Sequence, residues 1–101
     1  MRGKTIFCKI HKKNNLTVLA VCDKELIGKT LSEKEICFTV SEKFYKEKEI
    51  HESKLREMLK EFDNINLIGK KSVGIALNEG LVEEKNIIKI KNIPHIQIFK
   101  L

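Results

Sequence analysis

Leu16-Thr17-Val18-Leu19-Ala20-Val21-Cys22 is a nearly continuous apolar run, and Asp23-Lys24-Glu25-Leu26-Ile27-Gly28-Lys29-Thr30-Leu31 follows it directly. Such a run marks a strand covered on both faces, or a central strand of a sheet. At Cys22-Asp23 the character changes from buried to polar, Gly28 lets the backbone turn, and the chain starts again at Ile36. A thiol, a carboxylate, two lysines and a glycine therefore stand at the end of a core strand.

Upstream, Thr5-Ile6-Phe7-Cys8-Lys9-Ile10 alternates, with Ile6, Cys8 and Ile10 on one face and Thr5, Phe7 and Lys9 on the other. The polar link His11-Lys12-Lys13-Asn14-Asn15 joins it to the apolar run, which predicts an antiparallel hairpin. Downstream, Ile36, Phe38 and Val40 share a face and predict a third strand. Ser41 to Glu49 is a charged loop holding Phe44, expected to plug the core edge, and Tyr45, which either stacks on a base or packs under the loop.

Leu55, Met58, Leu59 and Phe62 recur with helical spacing and predict a helix over Ser53 to Asp63, with Ser53 as its N-cap. The other face of that helix carries both signs of charge and reads as solvent-facing. Asp63 to Gly69 reads as a short link or a fragment of strand. A second helix spans Lys70 to Glu79, with Gly80 placed as the residue just past its end and Leu81 packing back. Gly74 inside it costs helix propensity, which close approach of another backbone would explain. Asn86 to Lys91 and His95 to Lys100 are Ile-rich strand candidates, separated by a break at Pro94.

A chain of 101 residues has room for a single α+β domain, 1–101. Apolar residues make up 42% and charged residues 34%, which suits a folded core under a charged surface rather than disorder. No apolar run is long enough for a membrane span and no signal peptide opens the chain, so the expected compartment is the cytoplasm. Cys8, Cys22 and Cys37 lack metal-ligand spacing and read as buried, reduced thiols; neither a metal nor a cofactor is expected. The net charge of +6 favours anionic partners. It comes almost wholly from lysine, since only Arg2 and Arg56 are arginine, and Lys/Glu enrichment also accompanies thermophily.

Leu26-Ile27-Gly28-Lys29-Thr30 and Leu67-Ile68-Gly69-Lys70-Lys71-Ser72 both end like a phosphate-binding loop. Asp23 and Asn64 occupy the positions where such a loop needs its first glycine, which excludes a nucleoside-triphosphate P-loop. The second segment still opens a helix with two lysines, so Lys29, Gly69, Lys70, Lys71 and Ser72, with Tyr45, form the expected anion- or RNA-binding set. Cys22, Asp23 and His95 are the residues from which a thiol, imidazole and carboxylate arrangement could be built. Adjacent strand residues point to opposite faces, however, so Cys22 and Asp23 cannot share a site without a bend.

Cys22-Asp23-Lys24-Glu25-Leu26-Ile27-Gly28, Phe44-Tyr45, Asn66-Leu67-Ile68-Gly69 and Ile93-Pro94-His95 occur in the order of the motifs of an archaeal family, domain of unknown function 424, which the chain resembles over nearly its whole length. The resemblance implies a two-layer α/β sandwich in an archaeal cytoplasmic protein, and no established activity. Cys22, Asp23, Gly28, Tyr45, Asn66, Gly69 and His95 match the family motifs; Lys46 and Glu47 stand where the family usually has glycines.

The expected architecture is a two-layer α+β sandwich, a mostly antiparallel sheet of about four or five strands with two helices on one face. The expected function is noncatalytic RNA binding tied to translation or RNA handling, with RNA or a ribonucleoprotein as partner and no membrane. A small enzyme or ligand-binding protein using Cys22, Asp23 and His95, and a module that binds a protein partner, are the alternatives.

Overall fold

The computed structural model describes residues 3–101. The hairpin forms as the alternation predicts. Strand β1 (Ile6–Lys13) pairs antiparallel with β2 (Leu16–Asp23) in full register, from Ile6 opposite Asp23 to Lys13 opposite Leu16. Asn14 makes the turn in the left-handed region at φ 56°, which asparagine tolerates better than most side chains.

The chain then leaves the sheet through a 3₁₀ turn, Lys24–Leu26, and forms a separate two-stranded hairpin, β3 (Thr30–Glu33) and β4 (Ile36–Thr39). A short helix α1 (Glu42–Tyr45), capped by the Ser41 hydroxyl accepting from the Phe44 N–H, leads into edge strand β5 (Lys48–Ile50). Helix α2 (Glu52–Glu61) is followed by β6 (Asn64–Ile68), helix α3 (Lys70–Asn78), a second 3₁₀ turn at Glu84–Asn86, β7 (Ile88–Ile90) and β8 (Ile93–Phe99).

Among the described residues the main sheet has six strands in the order β5-β1-β2-β6-β8-β7. Only the β2–β6 pair is parallel, so the sheet is mostly antiparallel as expected, with more strands than the expected four or five. One strand comes from a segment read otherwise, β5 in the charged loop, whereas the segment after α2 takes the strand alternative and forms the interior strand β6. Within the Asn86 to Lys91 candidate only Ile88–Ile90 forms a strand, the short β7. Lys91 and Asn92, both left-handed, turn it into β8, and Pro94 lies within that strand rather than breaking it.

Helices α2 and α3 cover one face. Ile6, Cys8, Leu19, Val21, Ile65, Leu67, Ile96 and Ile98 of the sheet meet Leu55, Met58 and Leu59 of α2 and Val73, Ile75 and Ala76 of α3. The opposite face is covered over half its length: Phe7, Ala20, Cys22 and Ile68 lie beneath Leu26, Leu31, Val40 and Tyr45. Burial on both faces accounts for the unbroken apolar run of β2.

Three local expectations are corrected. Helix α2 begins at Glu52 with His51 at the cap position and no side-chain cap; Ser53 is an exposed first-turn residue. Among the described residues no backbone of another element lies within 4 Å of where a Cβ on Gly74 would be, so close approach does not account for this glycine. Cys37 is exposed on the β3–β4 hairpin, one face of which is open to solvent, whereas Cys8 and Cys22 are buried. The end of α3 is as expected: Gly80 is left-handed at φ 72°, its N–H donates to the Leu77 carbonyl, and the Leu81 N–H donates to that of Ala76.

Candidate functional site

Strands β2 and β6 run parallel, with Cys22 opposite Ile68, so Asp23 and Gly69 emerge side by side at one end of the sheet. Gly69 then opens α3. Its φ of +117° is accessible to glycine, and a Cβ there would lie 2.2 Å from the Asp23 Cγ. The space it leaves lets the Asp23 carboxylate seat on the start of α3. Oδ2 accepts from the Lys71 N–H at 2.9 Å, and Oδ1 accepts from the Ser72 N–H at 2.9 Å and the Ser72 hydroxyl at 2.7 Å. A cap supplied by a neighbouring strand thus satisfies helix donors that otherwise lack partners.

This geometry corrects part of the expected anion site. The donors that would wrap a phosphate already bind Asp23, and Gly69 and Ser72 are buried with it. Lys70 and Lys71 keep exposed side chains, as does Lys29, which lies between the first 3₁₀ turn and β3. Tyr45 is also corrected: it is 1% exposed, so its ring has no open face on which a base could stack.

The three catalytic candidates do not assemble. Asp23 is committed to α3. Cys22 lies on the other face, fully buried, and burial, reinforced by Asp23 and Glu25, pushes its thiol up to about 12. His95 shares that face, but the register places Ile68 between them, two interstrand spacings or about 10 Å across the sheet. A thiol held protonated and out of reach of a base is a poor nucleophile. Among the described residues no cluster of His, Cys, Asp or Glu could hold a metal ion, and no helix is long and apolar enough to cross a membrane.

What the fold does bring together is a line of polar side chains on the face opposite α2 and α3. The Tyr45 hydroxyl donates to Asn66 Oδ1 at 2.5 Å, and His95 Nε2 approaches the same oxygen at 3.3 Å. Asn66 Nδ2 donates to Gln97 Oε1 at 2.9 Å, and Gln97 Nε2 donates to Asn64 Oδ1. Burial pushes the Tyr45 phenol up, with the Cys22 thiol adding to the effect, so Tyr45 stays a donor. Burial also lowers the His95 imidazole, favouring its neutral form.

Strand register orders this face into rows. Phe7, Cys22, Ile68 and His95 form the row beneath the β3–β4 hairpin and α1. Lys9, Ala20, Asn66 and Gln97 form the next row. Beyond it lie the paired His11 and Val18 of β1 and β2, and the paired Asn64 and Phe99 of β6 and β8. Cover thins out over these positions: Phe44 lies on His11, Asn64, Asn66 and Val18 are half-buried, Gln97 is exposed, and Phe99 is 68% exposed.

Aromatic groups border the line. Phe44 stacks on His11 with ring centroids 4.6 Å apart and meets Tyr45 edge-on, while Phe38 lies 5.3 Å from His95. A cleft of about 310 Å³ between the hairpin and α1 is lined by Phe38, Ser41, Phe44, Tyr45 and Asn66. Asn64, Gln97 and Phe99 belong to no motif; the alternations Asn64-Ile65-Asn66-Leu67 and His95-Ile96-Gln97-Ile98-Phe99 are the signals that set them on the face opposite the core isoleucines and Leu67.

The fold and this face define a small α+β protein with an amide-rich, aromatic-bordered sheet surface, in which Cys22, Asp23 and His95 are held apart. The family model described as "Protein of unknown function (DUF424)" matches residues 10–101, and the chain belongs to that family. It is similar to a solved structure described as an uncharacterized conserved protein from Methanopyrus kandleri, with TM-score 0.76 and 29% identity over 95% of this chain and 93% of that one. No curated protein matches the chain. Of the seven residues read as motif matches, Asp23 and Gly69 meet at the start of α3 and Tyr45 and His95 both approach Asn66 Oδ1, whereas Cys22 is buried apart from both sets and Gly28 is an exposed turn residue.

Proposed function

We propose that this protein is a noncatalytic RNA-binding protein of the cytoplasm, tied to translation or RNA handling, and that single-stranded RNA lies across the open half of the sheet. The observation that carries the reading is the uncovered surface formed by Asn64, Asn66, Gln97 and Phe99. Amides offer hydrogen bonds to base edges, and an exposed ring offers a stacking platform; single-stranded RNA is bound through these two contacts on open sheet faces. Lys13 stands on the same face beyond His11, Lys43 on the neighbouring α1, and the net charge is +6, which supplies the phosphate attraction. Lys9 donates to the Lys43 carbonyl at 2.8 Å and ties α1 to this rim.

The test is fluorescence anisotropy with a labelled oligouridylate at several salt concentrations. Phe99→Ala should weaken binding by about 1–3 kcal/mol, the range for one stacked base, without changing the salt slope. Lys13→Glu with Lys43→Glu should lower the slope by about 0.7 for each phosphate that is no longer neutralised. Lys70→Glu with Lys71→Glu makes the same charge change elsewhere and should do less. Equal losses from the two lysine pairs would mean that only net charge matters. Failure of the parent protein to bind at physiological salt would refute the reading. Recovery of bound RNA from native lysate at two salt concentrations would identify the target.

A further inference from the structure

Between α3 and the segment of the second 3₁₀ turn, β7 and the start of β8 lies a groove of about 520 Å³ that the proposed RNA surface does not use. Val73, Gly74 and Leu77 form one wall, and Ile87 and Pro94 form the other. Gly74 weakens the interior of α3 relative to alanine, yet among the described residues no atom beyond the helix's own adjacent backbone and the two chain neighbours lies within 4 Å of where its Cβ would be. The chain's own packing therefore does not require glycine there; the space it opens belongs to the groove. Lys70 and Lys89 stand at the rim, and among the described residues neither has an ion-pair partner. The other rim charges, Glu84 and Lys85, cancel, and Lys85 lies 3.5 Å from Glu83.

We propose that this groove docks an acidic peptide segment of a protein partner, with one bulky apolar side chain seated over Gly74 and carboxylates meeting Lys70 and Lys89. The volume falls within the range of ligand clefts, about 300–1,000 Å³. The walls are aliphatic and contain no aromatic ring, so they offer a base nothing to stack on and favour a peptide over RNA. The two rim lysines give the charge complementarity that steers an acidic partner. The groove lies beside α3, on the side of the sheet away from the proposed RNA surface, so the proposal stands independently of that reading.

The experiment uses the full chain labelled with nitrogen-15 and a panel of capped hexapeptides. Each carries four acidic residues around a central Leu, Ile, Met or Phe, with lysine-substituted versions and an oligouridylate as comparisons. At least one acidic peptide should produce saturable shifts at the amides of Gly74, Leu77 and Lys89. Its lysine-substituted version should bind at least tenfold more weakly. Lys70→Glu with Lys89→Glu should weaken it by a similar factor. Gly74→Leu should abolish binding while the melting temperature holds. Should Gly74→Leu fail to fold, Gly74→Ala provides the second test, raising the melting temperature while lowering affinity. Absence of saturable shifts with every acidic peptide at millimolar concentration, equal binding of the lysine-substituted peptides, or larger shifts at these amides with the oligouridylate would each overturn the proposal.

Discussion

Replacing Asp23 by asparagine changes almost nothing in volume and removes a charge from the start of α3. In the parent, one carboxylate oxygen holds the Ser72 N–H and hydroxyl and the other holds the Lys71 N–H. The asparagine oxygen can keep the two Ser72 bonds, which leaves its NH₂ group facing the Lys71 N–H, donor against donor. A buried donor without a partner costs about 1–3 kcal/mol, and loss of a negative charge at a helix N-terminus costs about 0.3–2 kcal/mol. Lys71 is exposed, so water can reach its N–H and reduce the first penalty. The expected destabilisation is about 2–3 kcal/mol, or roughly 10–20 °C in melting temperature for a chain of this size. Asp23→Ala, which also leaves the buried Ser72 groups unpaired, should cost about 3–5 kcal/mol. Urea denaturation followed by far-ultraviolet circular dichroism at neutral pH measures both. A cycle with Ser72→Ala should show a coupling energy above about 0.5 kcal/mol, because the two residues share hydrogen bonds. An Asp23→Asn change below about 0.5 kcal/mol, with no coupling to Ser72, would refute the assignment of Asp23 as the cap of α3.

Leu59 is fully buried between α2 and the sheet, so Leu59→Ala should destabilise by about 2–5 kcal/mol in the same denaturation assay. In native protein a thiol reagent should modify exposed Cys37 rapidly, and Cys8 and Cys22 only on unfolding; fast native labelling of Cys22 would contradict its burial. For His95, burial lowers the folded-state pKa below its unfolded value of about 6.5, so the unfolded chain binds the extra proton first. Its contribution to stability should be intact above that pH and fall away below it, and His95→Gln should flatten that part of the profile in melts at stepped pH.

Local pattern carried a good deal of this fold. The alternation of β1, the apolar run of β2, the helical stripe of α2 and the glycine-terminated end of α3 are each decided by residues close in sequence, whose spacing matches one secondary-structure period. The family motifs were also legible, because order and spacing along the chain are all that such a likeness needs.

Long-range pairing decided the rest. Asn64 and Asn66 are turn-prone residues, yet β6 is an interior strand, because β2 and β8 satisfy its backbone while the uncovered half of one face leaves its amides room. Ser72, Gly69 and Lys71 looked like an open anion site because Asp23, 48 residues before Lys71 in the chain, could not be placed against them until β2 and β6 were known to be parallel neighbours. Tyr45, Asn66 and the β8 pair His95 and Gln97 come from three distant segments and meet only through strand register and the return of α1 over the sheet. Spacing along the chain determines which elements form. Which side chains share a surface depends on how those elements pair, and the candidate sites here are made of such pairings.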